Sequence, residues 1–253
     1  MQINVYVISL EDEFLRRNIM CEQLNGPFTF INAVDLRKIK SITITKYLNN
    51  DKLPYPKVRT NLTNGEIGCA LSHLKALNKF VEDEGEYALI LEDDAILPTN
   101  YLDVINNICS NSKGYWDFLL LGYSKLDVSE TSSFYKMEPI NILQKINNIS
   151  IGEPWKNWTS GTVAYLVSKQ AARRFIEVHN RKIFTVADDW AFFKGNFDFK
   201  ILHCRPLIIF ENYAELKSSI ELERGTFISY TPYYLKFIRI CRGYIRKLFM
   251  LMR

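Results

Sequence analysis

The most restrictive feature of the chain is the stretch Tyr87-Ala88-Leu89-Ile90-Leu91-Glu92-Asp93-Asp94-Ala95-Ile96-Leu97. Five apolar residues run into three acids, and apolar residues follow. An apolar run of this length reads as a strand of a covered sheet. Three adjacent carboxylates resist burial unless they pair with cations, accept several hydrogen bonds or hold a metal. The stretch therefore predicts a strand that stops at the acids, with the acids at its carboxyl edge, where α/β sheets bind ligands. Alternation along an extended segment puts Glu92 and Asp94 on one side and Asp93 on the other. Two carboxylates on one side suit a hard divalent cation, Mg²⁺ or Mn²⁺, that also holds phosphate oxygens. A solvated acidic turn is the plainer alternative.

The flanking pattern supplies the rest of an α/β domain. Ile3–Leu10 reads as a first strand, Glu11–Leu24 as a helix carrying Arg16 and Arg17 near its start, and Phe28–Val34 as a second strand ending at Asp35. Strand, helix, strand opens a βαβ unit. In that helix Phe14, Ile19, Met20 and Leu24 are the expected apolar positions. Residues 36–64 read as a loop-rich insertion with one short helix. Gly65-Glu66-Ile67-Gly68-Cys69-Ala70-Leu71-Ser72-His73 leads into a helix, which places Ser72 and His73 on its first turn and the two glycines just before it, a place suited to anions. Asp117–Leu121 and Thr162–Val167 read as further strands, and Ser168 as the N-cap of a helix over 169–178. Residues 123–150 are polar and weakly patterned, and read as a mobile or variable segment. Lys200–Phe210 reads as a late strand interrupted by His203 and Pro206. The order of elements fits a single α/β domain with a mostly parallel sheet.

Five scattered cysteines, none at metal-ligand spacing, point to reduced thiols and a cytosolic setting. The first residues lack the basic-then-apolar pattern of a signal peptide, and no apolar run is long enough to span a membrane. The net charge of +4 is unevenly spread. Residues 233–253 carry Lys236, Arg239, Arg242, Arg246, Lys247 and Arg253 and no acid; without those six, 26 basic residues face 28 acidic ones. In the same segment Phe237, Ile238, Cys241, Tyr244, Ile245, Leu248 and Met252 recur at helical spacing. A basic amphipathic helix with aromatics reads as binding an anionic membrane surface. The alternative is a terminal helix packed on the domain with its basic stripe solvated. No nucleic-acid module accompanies the basic helix, so nucleic acid is not the expected partner.

Several of these segments, taken in order, resemble glycosyltransferase family 25, which includes bacterial lipooligosaccharide galactosyltransferases and collagen galactosyltransferases. They are Ser9-Leu10 with Arg16-Arg17; Ala33-Val34-Asp35; Gly65 to His73; Leu91-Glu92-Asp93-Asp94; and Gly161-Thr162-Val163-Ala164-Tyr165-Leu166-Val167-Ser168. The resemblance covers roughly residues 2–210 and leaves out the tail and residues 123–150. It implies a GT-A-like nucleotide-diphosphosugar fold with residues 1–232 as one Rossmann-like domain; the membrane-associating tail over 233–253 rests on its own basic, amphipathic pattern. It also implies metal-assisted, inverting transfer of a hexose, most often galactose from UDP-galactose, to a lipooligosaccharide or other glycolipid acceptor. UDP-glucose is the alternative donor. The enzyme would work peripherally on the cytoplasmic face of the inner membrane.

Within that resemblance Glu92-Asp93-Asp94 stands where such enzymes place Asp-x-Asp, with Glu in the first position. Asp94 is therefore the expected metal ligand, while Glu92 reaches ribose or a cation. The ion, Mn²⁺ or Mg²⁺, would neutralise the leaving diphosphate. Arg16 is expected at the nucleotide, Leu10 on the base, and Ser9 and Asp35 near base and ribose; a turn residue is the alternative for Asp35. Gly68, Ser72, His73 and Asp93 complete the expected donor site. His203 is a candidate to finish the metal shell, against the alternative of a satisfied core histidine. Inversion needs one carboxylate base, for which Asp188 and Asp189 are the candidates, with a helix N-cap as the alternative for either. Trp155 and Trp158 are candidates to stack on acceptor sugars, or else pack in the core. Two other classes remain open: a non-catalytic nucleotide-sugar or metal-binding protein at the membrane, and a metal-dependent phosphohydrolase.

Overall fold

The computed structural model describes residues 3–37, 39, 45–49, 51–112, 114–213, 216 and 233–252. Three parallel strands form one side of the molecule: β1 (Ile3–Ser9), β2 (Thr29–Asn32) and β3 (Tyr87–Glu92), with β1 in the middle. β8 (Ala164–Ser168) lies antiparallel between β3 and β5 (Phe118–Leu120). β9 (Ile201–Arg205) runs parallel to β5, and the hairpin of β6 (Ile140–Ile146) and β7 (Ile149–Pro154) closes the far edge. The eight-stranded order is β2-β1-β3-β8-β5-β9-β7-β6. Followed through the pairings, only β7 and β8 oppose the other six, so the sheet is mostly parallel in direction. A short pair of β4 (Ala95–Ile96) and β10 (Phe210–Glu211) sits beside the acids.

The apolar run before the acids is buried along its length, and Ala88 to Leu91 expose nothing to solvent. Each such aliphatic side chain contributes about 2 kcal/mol on burial. α1 (Phe14–Gln23) follows β1 as expected, but only part of its anticipated apolar face is covered: Met20 and Leu24 are buried and Phe14 is exposed. Arg17 turns back to the end of β1, donating to the carbonyls of Leu10 and Ser9 and to Asn32 Oδ1 at 2.6 Å.

α2 (Asn64–Glu82) begins earlier than the sequence pattern suggests. The Thr63 hydroxyl accepts from the Glu66 amide while the Glu66 carboxylate accepts from the Thr63 amide. This reciprocal cap starts the helix ahead of both glycines. Gly68, Ser72 and His73 therefore lie inside α2, the last two in its third turn and not its first. Gly68 serves close packing: a Cβ there would stand 2.5 Å from the Val34 carbonyl oxygen. Ser72 fixes the same approach by accepting from the Val34 amide at 2.8 Å and donating to the Gly68 carbonyl.

Residues 123–150 are ordered, contrary to the sequence expectation. They form a short 3₁₀ turn, α4 (Thr131–Met137) and the first strand of the β6–β7 hairpin. Asn147, at φ 50°, and Asn148 make its two-residue turn. β6 escapes pattern reading because the exposed residues of this edge strand mix polar Asn141 and Lys145 with apolar Ile142 and Leu143, which blurs the alternation. The late strand stops at Arg205, before Pro206, and resumes as β10. α3 (Tyr101–Ser112), α5 (Lys169–His179) and α6 (Trp190–Phe197) complete the domain, with α5 packed on α2 and capped by Ser168.

α7 (Tyr233–Leu251) docks on α4 and β6. A Cβ on Gly243 would collide with the Lys136 carbonyl, and Arg246 reaches Glu138 at 2.6 Å. The helix is thus packed on the domain, yet Phe237, Ile238, Tyr244, Ile245, Leu248 and Phe249 stay exposed beside Arg239, Arg242 and Lys247. The boundary drawn at 232/233 and the residue Arg253 lie partly or wholly outside the described residues. No described helix is long and apolar enough to cross a membrane.

His179 sits among Phe175, Phe184 and Phe193 with Nδ1 on the Phe175 carbonyl, and burial pushes its pKa down to about 4. The unfolded chain takes up this proton near pH 6.5, whereas the folded one resists until about pH 4. Stability from this group is complete above pH 6.5 and drains away as pH falls toward 4, by up to about 3 kcal/mol. Thermal melts from pH 7 to 4.5 should show His179→Phe losing less stability on acidification than the native chain. Parallel slopes would contradict the assignment.

Candidate active site

The carboxyl ends of β1, β2 and β3 and the first half of α2 line a cleft that opens to solvent. Ser9, Leu10, Arg16, Asp35, Gly68, Ser72, His73, Glu92, Asp93 and Asp94 all line it. These are the residues that the sequence assigned to a donor and its metal, drawn from four separate segments. The cleft lies where the strands of an α/β sheet end, the usual place for its ligands.

Arg16 reaches across from α1 to the acids, 2.7 Å from Asp93 and 3.1 Å from Asp94. It is the cation that lets the acids be buried. Asp94 remains undercompensated. Burial first, then the negative charges of Glu92 and Glu211, push its carboxyl up to about 8 despite Arg16. Its Oδ1 is buried without a hydrogen-bond partner among the described residues. A buried carboxylate oxygen with unspent acceptor capacity, next to other acids, fits a hard divalent cation. Glu211 was not foreseen from sequence. β10 brings it there, opposite Ala95, while the Asn212 amide holds the Asp94 carbonyl at 2.7 Å.

Glu92 is held from two sides. His73 Nε2 lies 3.3 Å from its Oε1, and the Thr162 hydroxyl donates to the same oxygen. Burial works against its charge, but His73, Thr162 and Arg16 outweigh that and hold its pKa below the ordinary value. His73 Nδ1 contacts the Tyr165 hydroxyl at 3.1 Å. Thr162 and Tyr165 thus belong to the site. Their signal was the segment Gly161–Ser168, legible as a strand but not as a partner of Glu92. Asp35 is gripped by Arg37 through both carboxylate oxygens, at 2.9 and 2.8 Å, and also turns the chain by accepting from the Arg37 amide.

The remaining candidates lie elsewhere. Asp189 is buried as the N-cap of α6, and its oxygens accept from the Phe192 amide, the Thr185 hydroxyl and the Val58 amide. That is the N-cap alternative. Asp188 is half-buried and accepts from the Gly161 amide at 3.1 Å, one residue from Thr162. Trp158 packs with Tyr123, Phe134 and His203, and Trp155 with Phe249 of α7; neither lines the cleft. His203 is not brought to the acids. Its β9 is three strands from β3, about 14 Å at the usual spacing. Its Nδ1 meets the Tyr123 hydroxyl, and burial drives its pKa well below the ordinary value, as for a core histidine.

A mostly parallel α/β sheet with a cleft at its carboxyl edge, acid-lined and cation-bridged, defines the Rossmann-like class of fold. A family model described as glycosyltransferase family 25 (LPS biosynthesis protein) matches residues 2–190, and the chain belongs to that family. A "Putative glycosyltransferase" of Haemophilus influenzae is 27% identical over 218 residues, covering 83% of this chain and 70% of its own length. "Procollagen galactosyltransferase 2" of Homo sapiens is 24% identical over 181 residues, 68% of this chain. The chain spans only 23–28% of the length of the animal relatives it matches. Among solved structures, S. aureus TarS 1-349 in complex with UDP-GlcNAc aligns with TM-score 0.42 and 14% identity, over 96% of this chain and 66% of that one.

Proposed function

We propose that the chain transfers a hexose, galactose before glucose, from a UDP-sugar to a lipooligosaccharide or related glycolipid acceptor with inversion. The observation that carries this reading is the gathering of every expected donor residue into the one cleft at the ends of β1, β2 and β3. Galactose takes first place because the human relative is named a galactosyltransferase, and the acceptor class follows the family description.

In this reading Leu10 and Ser9 receive the base, Asp35 with Arg37 the base or ribose, and Arg16 the diphosphate. Asp94 would hold Mn²⁺ or Mg²⁺, which supplies Lewis-acid neutralisation of the leaving diphosphate. Ligand binding then gives Arg16 a phosphate partner in exchange for a carboxylate. Glu92, fixed by His73 and Thr162, holds one orientation toward the sugar side of the cleft. Asp188, which accepts from the Gly161 amide next to Thr162, takes the proton of the acceptor hydroxyl; Asp189 is committed to its helix. The test is release of UDP from a panel of sugar nucleotides, with and without Mn²⁺, over lactosyl, glucosyl and bacterial glycolipid acceptors. Metal-dependent release from UDP-galactose, raised by acceptor, is the expected result. UDP binding without turnover on a broad panel would leave a non-catalytic binding protein instead.

The exposed apolar and basic surface of α7 supports docking on an anionic bilayer at the cytoplasmic face. Each basic residue near such a surface contributes about 1 kcal/mol. Removal of residues 233–253 should abolish sedimentation with phosphatidylglycerol vesicles while UDP binding stays. Persistent sedimentation would place the anchor elsewhere.

A further inference from the structure

We propose that Cys69, His73 and Glu92 form a second metal site, for a thiophilic divalent ion of the Zn²⁺ class, whose occupancy closes the donor cleft. Cys69 and His73 are four residues apart on α2, which puts both side chains on one face of the helix. Glu92 meets that face from the end of β3. One ligand atom from each of the three lies within 4.8 Å of the others, the only such group of three among the described residues.

The spacing fits the ion. A tetrahedral centre about 2.0–2.1 Å from nitrogen and oxygen separates those atoms by about 3.3 Å. His73 Nε2 and Glu92 Oε1 already stand 3.3 Å apart. The outer partners are also in place: the Tyr165 hydroxyl contacts His73 Nδ1 at 3.1 Å, and the Thr162 hydroxyl binds Glu92. Such partners orient metal ligands and fix the imidazole tautomer. A sulfur, nitrogen and oxygen set favours zinc-like ions over Mg²⁺ or Mn²⁺, whereas a carboxylate ligand such as Asp94 favours the reverse. The two sites are therefore chemically distinct although they share a cleft.

Three protein ligands leave a fourth position, and all three residues line the donor cleft. An ion there would take water or a substrate oxygen as its fourth ligand, exchange readily, and engage Glu92 and His73 where the donor has to lie. Binding of the ion does not depend on the transfer reading; closure of the cleft rests on it.

The test uses Co²⁺ as a spectroscopic stand-in for Zn²⁺, added to the full chain. The native protein should develop thiolate-to-cobalt charge transfer and intense tetrahedral visible bands. Asp94→Asn should keep the charge-transfer band, and Cys69→Ser should lose it with an unchanged melting temperature. Should Cys69→Ser melt early, Glu92→Gln serves instead, with Zn²⁺ affinity, measured against a chromophoric chelator, falling at least about tenfold. Absence of the band in the native chain, its survival in Cys69→Ser, or undiminished zinc affinity in Glu92→Gln would overturn the site. For closure, the ratio of UDP release with and without Zn²⁺ should be far below one in the native chain and near one in Cys69→Ser; equal ratios would overturn it. A cobalt spectrum in a chain that releases no UDP would uphold the site and remove the transfer reading.

Discussion

Asp94→Asn should leave a folded protein whose metal-dependent UDP release is slower by a factor of about a thousand or more. Lewis-acid neutralisation of a leaving group contributes several kcal/mol, and each 1.36 kcal/mol is a factor of about ten. The fold should not suffer, because burial, Glu92 and Glu211 already push this carboxyl up to about 8, so a neutral isostere relieves repulsion. Matched circular dichroism spectra and melting curves, beside single-turnover UDP release with saturating Mn²⁺, measure both halves. Near-native turnover would remove Asp94 from the metal.

Arg16→Met should be the most destabilising single change at the cleft. The Arg16 side chain is 13% exposed and bridges Asp93 and Asp94. Removing one partner of a buried ion pair costs about 3–5 kcal/mol. Protonation of Asp94 recovers part of that, leaving about 2–3 kcal/mol, or a melting temperature lower by roughly 5–10 °C in a chain of this size. Mn²⁺ should raise the melting temperature of Arg16→Met more than that of the native chain, since the ion would replace the missing charge. A variant that melts like the native chain would show that the acids do not need the guanidinium.

Those two residues mark how far the sequence could be read. The acids announced themselves because a buried apolar run ending in carboxylates has few physical solutions, and the cleft followed from where strands of an α/β sheet end. The partners of the acids were hidden. Thr162 and Tyr165 sit some seventy residues beyond Glu92, and only the insertion of β8 beside β3 brings them together. Glu211 arrives by a two-residue strand too short to carry a pattern. The beginning of α2 was misplaced because glycines look like helix breakers until the Thr63–Glu66 cap is taken into account. β6 was missed because its exposed residues mix Ile142 and Leu143 with Asn141 and Lys145, leaving no clean alternation. Asp189 and His203 were chemically plausible side chains with structural occupations that adjacency in sequence does not reveal.

The late strand β8 occupies the centre of the sheet, between β3 and β5, which precede it in the chain. During synthesis, an N-terminal half containing every donor residue of β1, β2, α2 and β3 would emerge with β3 as an open edge. Glu92 would lack the Thr162 hydroxyl, and His73 the Tyr165 hydroxyl. The molecule thus cannot be cut into a donor module and an acceptor module. Any fragment ending before residue 168 loses the seam that joins the two sides, and pairing of such distant segments is slow to nucleate. Completion of the cleft is the same event as completion of the sheet, which keeps a half-made chain from assembling its full set of site contacts.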